Sequence, residues 1–182
     1  MTYNPDFHHR RSTRIKDYDY SQSGVYFVTI CTQNRECLFG EIGDGQMLLN
    51  SAGLMVQKEW EELPLRFPNV EIGAFTVMPN HLHALLIILD EIRRGELCVR
   101  PETDNIAIPP LGKIIQAFKS LTTNEYILVV KQQGWKEFSG KIWQRNYYEH
   151  IVHDEKDFQR IEEYILNNPA KWGEDEENPR NK

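Results

Sequence analysis

Residues 78–89 read Met-Pro-Asn-His-Leu-His-Ala-Leu-Leu-Ile-Ile-Leu, and this segment is the most informative about the fold of the chain. Pro79-Asn80 is typical of a turn. The run after His83 is apolar without alternation, which indicates a strand that is covered on both faces. Residues 70–78 (VEIGAFTVM) are rich in β-branched and aromatic residues and predict a preceding strand. The two segments therefore predict a β-hairpin whose second strand lies inside a sheet.

Further elements are predicted on both sides of this hairpin. Residues 24–32 (GVYFVTICT) and the short segment 138–143 predict two more strands. Apolar residues at helical spacing predict three helices, at residues 50–63, 111–130 and 154–167. The order of these elements favours one antiparallel sheet with helices packed on it, which is an α+β fold.

The domain organisation follows from length and composition. A chain of 182 residues is long enough for one domain with its own core. We divide it into a basic N-terminal arm (1–20), a single folded domain (21–172) and an acidic C-terminal tail (173–182). Residues 90–110 contain several prolines and no apolar periodicity, so they predict a linker inside the domain.

Composition excludes several classes of protein. With 40% hydrophobic and 26% charged residues, the chain is neither disordered nor membrane-spanning, and its longest apolar run, 84–89, is far shorter than the roughly 20 residues of a transmembrane helix. Its three cysteines lack zinc-site spacing, and no secretory signal precedes them. We therefore expect a cytoplasmic protein with reduced thiols and no membrane partner.

Charge is distributed unevenly along the chain. The net charge is −6, which taken alone argues against a nucleic-acid partner. Residues 110–146, however, carry six basic and two acidic residues, and residues 8–16 carry four basic residues and no acidic one. These two segments can form a basic face on an acidic protein. Solvated helix faces of mixed sign would explain the same pattern.

His81 and His83 form the sharpest local motif. In a strand, residues two apart project from the same face, with Cα atoms about 6.5–7 Å apart. Two imidazoles at that distance can bind one divalent cation. Both could instead be hydrogen-bonded histidines of a sheet, but two polar rings at the start of an apolar strand are costly to bury without a partner.

Tyr164 and Asn168 are four residues apart on the last predicted helix and therefore share one face. A core tyrosine, and an asparagine that merely ends the helix before Pro169, are the structural alternatives. Combined with His81 and His83, the set supplies two imidazoles and an amide oxygen for Mg²⁺ or Mn²⁺, together with a phenol nucleophile. Such a set suits phosphoryl transfer.

Several segments, in order along the chain, resemble the REP-associated tyrosine transposases, which are relatives of the single-tyrosine HUH transposases. The most specific are residues 78–83 (MPNHLH), 142–150 (IWQRNYYEH) and 164–169 (YILNNP). Residues 10–20, with a run of arginines before Tyr-Asp-Tyr, and residues 111–120 are similar to family segments too. The resemblance covers nearly the whole chain.

The resemblance implies a ferredoxin-like sheet with the HUH motif on a central strand. It also implies a single-strand DNA endonuclease and strand-transferase that acts on hairpin-forming repetitive DNA through a 5′-phosphotyrosine. By motif position, Tyr164 becomes the nucleophile and the metal ligands become His81, His83 and Asn168. Phosphate contacts are expected from six basic residues: Arg10, Arg11, Arg14, Lys113, Lys119 and Arg145.

Other functions stay open at this point. One is a non-catalytic regulator that keeps the fold and binds DNA hairpins, and another is a small metal-dependent phosphodiesterase acting on nucleotides. A phosphodiesterase of this kind would leave Tyr164 and the basic arm without a function. Tyr147 and Tyr148 are not expected to be nucleophiles, because their segment precedes the catalytic helix. Related transposases exchange tyrosine helices between subunits, so a monomer and a homodimer both fit the sequence.

Overall fold

The computed structural model describes residues 23–90, 109–133 and 135–181. The predicted N-terminal arm and nearly all of the predicted linker at 90–110 lie outside these ranges. The strands are β1 (Gly24–Cys31), β2 (Gly40–Gly43), β3 (Gln46–Leu49), β4 (Val70–Val77), β5 (His81–Ile88) and β6 (Tyr148–Val152). The α-helices are α1 (Ser51–Glu61), α2 (Leu63–Arg66), α3 (Leu111–Gln133) and α4 (Glu155–Asn167). Short 3₁₀ helices form at Gln33–Arg35, Pro169–Glu174 and Pro179–Asn181.

The main sheet has four strands in the order β4-β5-β1-β6, and every neighbouring pair is antiparallel. Helix α1 precedes β4 and helix α3 precedes β6, so the chain follows the β-α-β-β-α-β order of a ferredoxin-like fold. The predicted α+β class is confirmed. Strand β5, which begins with the two histidines, is a central strand, also as predicted.

The two faces of the sheet bury different side chains. Even-numbered residues of β1 and β5, such as Val28 and Leu86, pack against α1 and α3 in the larger core. Odd-numbered residues, including Phe27 and Leu85, form a smaller core with Ile161 and Ile165 of α4. Because residues alternate along a strand, His81 and His83 belong to the face that α4 covers.

Helix α4 forms where the sequence predicts it. The Asp154 side chain accepts a hydrogen bond from the Asp157 amide at 2.8 Å, which caps the helix N-terminus. Phe158, Ile161 and Ile165 then recur on the buried face. The helix ends just before Pro169, since a proline lacks the amide proton that the helix would need. This stop places Tyr164 in the last turn of the helix.

The predicted strand at 138–143 is wrong. Within this segment Trp143 forms only an isolated bridge with Thr32, and the edge strand is β6, several residues later. Trp143 has a different structural role from that of a strand residue. Its ring packs in the core against Phe39 and Phe118, and its indole nitrogen donates a hydrogen bond to Thr122. A buried aromatic residue that holds irregular backbone against the core thus gives the same sequence pattern as a short strand.

The turn-rich segment at 40–49 contains a hairpin that the sequence analysis did not predict. Strands β2 and β3 are joined by Asp44-Gly45, and both residues have positive φ angles, 50° and 74°. An Asp-Gly pair is the usual solution for this turn, because glycine adopts positive φ without steric cost.

Within the described ranges, none of the helices has both the length and the apolar character needed to cross a bilayer.

Candidate metal and nucleophile site

His81 and His83 lie side by side under α4 at the start of β5. Their ring centroids are 4.3 Å apart, and the two residues are 0% and 3% exposed. On β1, Cys31 lies opposite His81 and Thr29 lies opposite His83, so neighbouring strands hold both rings in place. The predicted placement of both imidazoles on one face is confirmed.

Asn80 orients the His81 ring. Its amide nitrogen donates to the carbonyl oxygens of Arg35 at 3.1 Å and Glu177 at 2.8 Å, so its amide oxygen must face the other way. That oxygen lies 2.8 Å from His81 Nδ1 and accepts its proton. Neutral His81 therefore presents Nε2 as a bare acceptor, and this buried atom has no hydrogen-bond partner among the described residues.

His83 is held in a similar way by Thr29, whose Oγ1 lies 2.8 Å from His83 Nδ1. The other ring nitrogen, Nε2, lies 3.3 Å from the Tyr164 hydroxyl. With the His83 proton on Nδ1, Nε2 accepts from Tyr164. The Phe27 ring stacks on His83 with centroids 5.6 Å apart and limits its rotation.

Burial keeps both imidazoles neutral. It lowers the pKa of His83 to about 3, and burial together with His83 and Arg35 lowers the pKa of His81 well below its ordinary value. A neutral imidazole offers a lone pair, which is the form that ligates a metal ion. The pair is therefore ready to bind a cation at neutral pH.

Tyr164 reaches the His pair of its own chain from the last turn of α4. The residue is 44% exposed, and its ring packs edge-on against Phe27 at 6.0 Å. Burial and the Asp175 carboxylate raise the pKa of its phenol, which keeps it protonated at neutral pH. Asn168, one turn later, is 3% exposed, and its Oδ1 atom has no hydrogen-bond partner among the described residues.

A third group that can ligate a metal comes from the predicted acidic tail. We call residues 169–181 the C-terminal segment. Its Asp175 side chain is only 4% exposed, and Oδ2 lies 3.8 Å from His81 Nε2. Ligand atoms of His81, His83 and Asp175 all lie within 4.8 Å of one another, so this group can hold a metal ion. Nothing in the sequence distinguishes Asp175 from its acidic neighbours, so its position beside the His pair is not among the predicted features.

An open cleft of about 430 Å³ leads from solvent to Tyr164 and His83. Aromatic side chains of Phe27 and Tyr148 line it, and Tyr148 is 55% exposed. Three acidic residues of the C-terminal segment also line it: Asp175, Glu176 and Glu177. Negative charge at the cleft opposes an anionic substrate unless a cation is present.

His150 of β6 and Arg160 of α4 line the same cleft, and both are hydrogen-bonded to Asp157 of α4. The His150 Nε2 atom lies 2.8 Å from one Asp157 oxygen, and Arg160 donates to the other at 2.6 Å. These two hydrogen bonds lower the pKa of Asp157 to about 2. The cluster ties the edge strand to the helix that carries Tyr164.

The predicted phosphate-binding residues have different surroundings. Lys113 and Arg145 are exposed. The Lys119 ammonium instead donates to the carbonyls of Gln144 at 2.9 Å, Arg145 at 3.5 Å and Asn146 at 3.0 Å, and burial lowers its pKa to about 8. It thus holds the loop that carries Arg145. The other three, Arg10, Arg11 and Arg14, lie outside the described residues.

Two curated proteins are similar to this chain in sequence. No protein-family model matches the chain. An uncharacterized protein of Haemophilus influenzae is 41% identical over 183 residues, which is 96% of each chain. A second protein of this organism, assigned to the REP-associated tyrosine transposases, is 29% identical over 85% of this chain and 75% of its own length.

A solved structure of a REP-associated tyrosine transposase bound to a REP hairpin shares the fold. It matches 82% of this chain and 68% of its own, with a TM-score of 0.53 and 23% identity. The four-stranded antiparallel sheet and its helices are thus similar in fold to this solved transposase. The chain is thus similar to REP-associated tyrosine transposases in sequence and in fold, which agrees with the resemblance of its motifs.

Proposed function

We propose that the protein is a metal-dependent single-strand DNA endonuclease and strand-transferase that acts on hairpin-forming repetitive DNA. The observation that carries this proposal is the 3.3 Å distance between the Tyr164 hydroxyl and His83 Nε2. It places a candidate nucleophile beside the His pair, in which His81 Nε2 has no hydrogen-bond partner among the described residues. The transposase relatives support the choice of DNA as substrate, and the solved relative is bound to a REP hairpin.

The side chains around the His pair fit a divalent cation, for which Mg²⁺ and Mn²⁺ are the candidates. His81 Nε2, Asn168 Oδ1 and Asp175 Oδ2 are buried and without a hydrogen-bond partner among the described residues. Orphaned acceptors of this kind are costly unless they have a partner such as a cation. His81, His83 and Asn168 would hold the ion, which when bound would polarise the scissile phosphate and stabilise the leaving oxygen.

Tyr164 would perform the covalent step. Its phenolic oxygen attacks the phosphorus in line, a Tyr164–phosphate bond forms, and the bond from phosphorus to the 3′ oxygen breaks. The phenol gives up a proton and the leaving oxygen takes one up, so the products are a 5′-phosphotyrosine and a free 3′-OH. Because the ester keeps the bond energy, a second 3′-OH can reverse the reaction and join the strands.

The cleft supplies contacts for the nucleotides around the scissile phosphate. An unpaired base can stack on the exposed Tyr148 ring, which lies edge-on to Phe27 with centroids 6.1 Å apart. Phosphates would be held by Lys113, Lys119, Arg145 and the three arginines of the N-terminal arm. Since Tyr164 reaches the histidines of its own chain, a monomer is sufficient for this chemistry, although a homodimer also fits it.

A labelled DNA hairpin with a single-stranded flank, incubated with the full chain and Mn²⁺, tests the proposal. We expect a covalent protein–DNA species that survives denaturation and is absent after His81→Ala or Mn²⁺ removal. The His81→Ala variant should still bind the hairpin, because phosphate contacts dominate affinity. Tight hairpin binding without any adduct, across hairpins of varied flank, would contradict the proposal and favour the non-catalytic regulator.

A further inference from the structure

The C-terminal segment packs over the His pair. The Trp172 ring lies 5.9 Å from the His81 ring, centroid to centroid. Beyond it, Asp175 accepts the Glu177 amide proton through Oδ1 at 2.6 Å and turns Oδ2 toward His81. The predicted acidic tail therefore includes residues that are integral to the site.

Two contacts anchor this segment to the loop and turn beside β5. Arg35 makes a two-pronged ion pair with Glu177, with nitrogen–oxygen distances of 2.5 and 3.2 Å. The Asn80 amide nitrogen donates to the Glu177 carbonyl at 2.8 Å. Asn80 also orients His81, so one residue joins the ring to the segment that covers it.

The charge of Asp175 is only partly offset by its hydrogen bonds, of which the Glu177 amide supplies one at Oδ1. A buried carboxylate is costly unless a cation or several hydrogen bonds offset the loss of water. Among the described residues, neutral His81 is the one basic group within ion-pair distance of Asp175, and the nearby Arg35 is engaged by Glu177. Asp175 Oδ2 and His81 Nε2 thus face each other at 3.8 Å, and neither atom has a hydrogen-bond partner among the described residues.

We propose that Asp175 is a metal ligand, and that the C-terminal segment is a strap whose docking is coupled to metal binding. The inference rests on the metal site of the proposed function and adds a ligand to it. The carboxylate contributes a hard oxygen and a negative charge, which suit Mg²⁺ and Mn²⁺. The Arg35–Glu177 pair positions the strap, and it affects the affinity for the ion only because it holds Asp175 in place.

Mn²⁺ binding to the full chain without DNA tests this inference, by calorimetry or by the electron paramagnetic resonance of free Mn²⁺. Asp175→Asn keeps the size of the side chain and removes its charge. We expect it to weaken Mn²⁺ binding by about tenfold or more. The matched control is Glu176→Gln, an exposed neighbour in the same cleft, which should stay within about threefold because exposed charges are screened.

Thermal unfolding gives a second test, in which the difference in unfolding temperature between Asp175→Asn and the parent should change sign when Mn²⁺ is added. Without metal, Asp175→Asn should unfold at the same temperature as the parent or higher, since it removes a buried charge that is only partly offset. In saturating Mn²⁺ the order should reverse, because the tighter binder gains more stability. Arg35→Gln leaves every ligand intact and should show a smaller loss of Mn²⁺ affinity.

Other outcomes would overturn the inference. Equal Mn²⁺ affinity in Asp175→Asn and the parent, or no Mn²⁺ binding by the parent, would show that Asp175 is not a ligand. Faster adduct formation by Asp175→Asn at unchanged Mn²⁺ affinity would mean that the strap blocks the cleft instead. These results are independent of the test of Tyr164, since an adduct can form without Asp175, and Asp175 can bind Mn²⁺ in a protein that does not cleave.

Discussion

The Asn80 amide oxygen lies 2.8 Å from His81 Nδ1, while the nitrogen of the same amide donates to Arg35 and Glu177. One fully buried side chain therefore sets the tautomer of a candidate metal ligand and joins three separate chain segments. Outer hydrogen bonds of this kind orient metal-ligating histidines and fix which nitrogen is free.

Asn80→Ala is expected to weaken Mn²⁺ binding by about 10–100-fold, the usual effect of removing such an outer partner. The His81 proton can then move between the two nitrogens, because nothing accepts it at Nδ1. Long-range proton–nitrogen NMR correlations of the imidazole report this directly. A single Nδ1-protonated form in both proteins, with equal Mn²⁺ affinity, would contradict the role of Asn80.

Asn50→Ala provides a control for lost stability alone. The Asn50 side chain caps α1 by accepting the Gly53 amide proton at 2.9 Å, and its loss should lower the free energy of unfolding by about 1 kcal/mol. Asn50 is not among the residues around the His pair, so its replacement should leave Mn²⁺ affinity unchanged. If both variants lose affinity alike, the loss reflects general destabilisation.

Tyr164→Phe is expected to abolish adduct formation and to change folding little. The ring still packs against Phe27, and the lost oxygen makes one long hydrogen bond, at 3.3 Å, in a half-exposed position. Equal urea midpoints of the variant and the parent would show that the fold is intact. Mass spectrometry of the digested adduct then identifies which tyrosyl peptide carries the nucleotide.

Tyr148→Phe is the matched control, because it removes a hydroxyl from a tyrosine that lines the same cleft. It keeps the ring for base stacking, so the adduct should still form, and Tyr147→Phe should behave in the same way. An adduct on Tyr147 or Tyr148 would retain the reaction class but move the nucleophile to β6 or the residue before it.

Much of the fold could be predicted because local pattern and tertiary position agree. The apolar run of β5 and the capped, amphipathic α4 both carry their structural role in their own residues. Residues 138–143 show the opposite case, since Trp143 fills the core from irregular backbone. Periodicity cannot distinguish a strand from an isolated apolar anchor in so short a segment.

The candidate site was only partly predictable for a related reason. The two histidines and the Tyr164–Asn168 spacing lie within single elements, where strand and helix periods bring side chains together. Asp175 reaches the site only because Arg35 and Asn80, from distant parts of the chain, hold its segment in place. Such long-range contacts leave no periodic signal in the sequence.

Acid should remove the stabilising contribution of Asp157. Hydrogen bonds from His150 and Arg160 lower its pKa in the folded protein to about 2, from 3.8. The unfolded chain therefore takes up the proton first as the pH falls, and stability is lost between about pH 4 and pH 2. The difference in urea midpoint between the parent and Asp157→Asn should shrink over this window; a constant difference would contradict the assignment.

The salt dependence of hairpin binding should separate the roles of the basic residues. The slope of log K against log salt should flatten by about 0.7 for each phosphate contact that is lost when a basic residue is neutralised. The residues to neutralise are Lys113, Arg145 and, in the arm, Arg11 and Arg14. Lys119→Met tests whether an ammonium that already donates to three carbonyls also binds phosphate. An unchanged slope with a lower urea midpoint would assign Lys119 to the support of the 144–146 loop. A slope flattened as much as in Arg145→Gln would assign it to DNA.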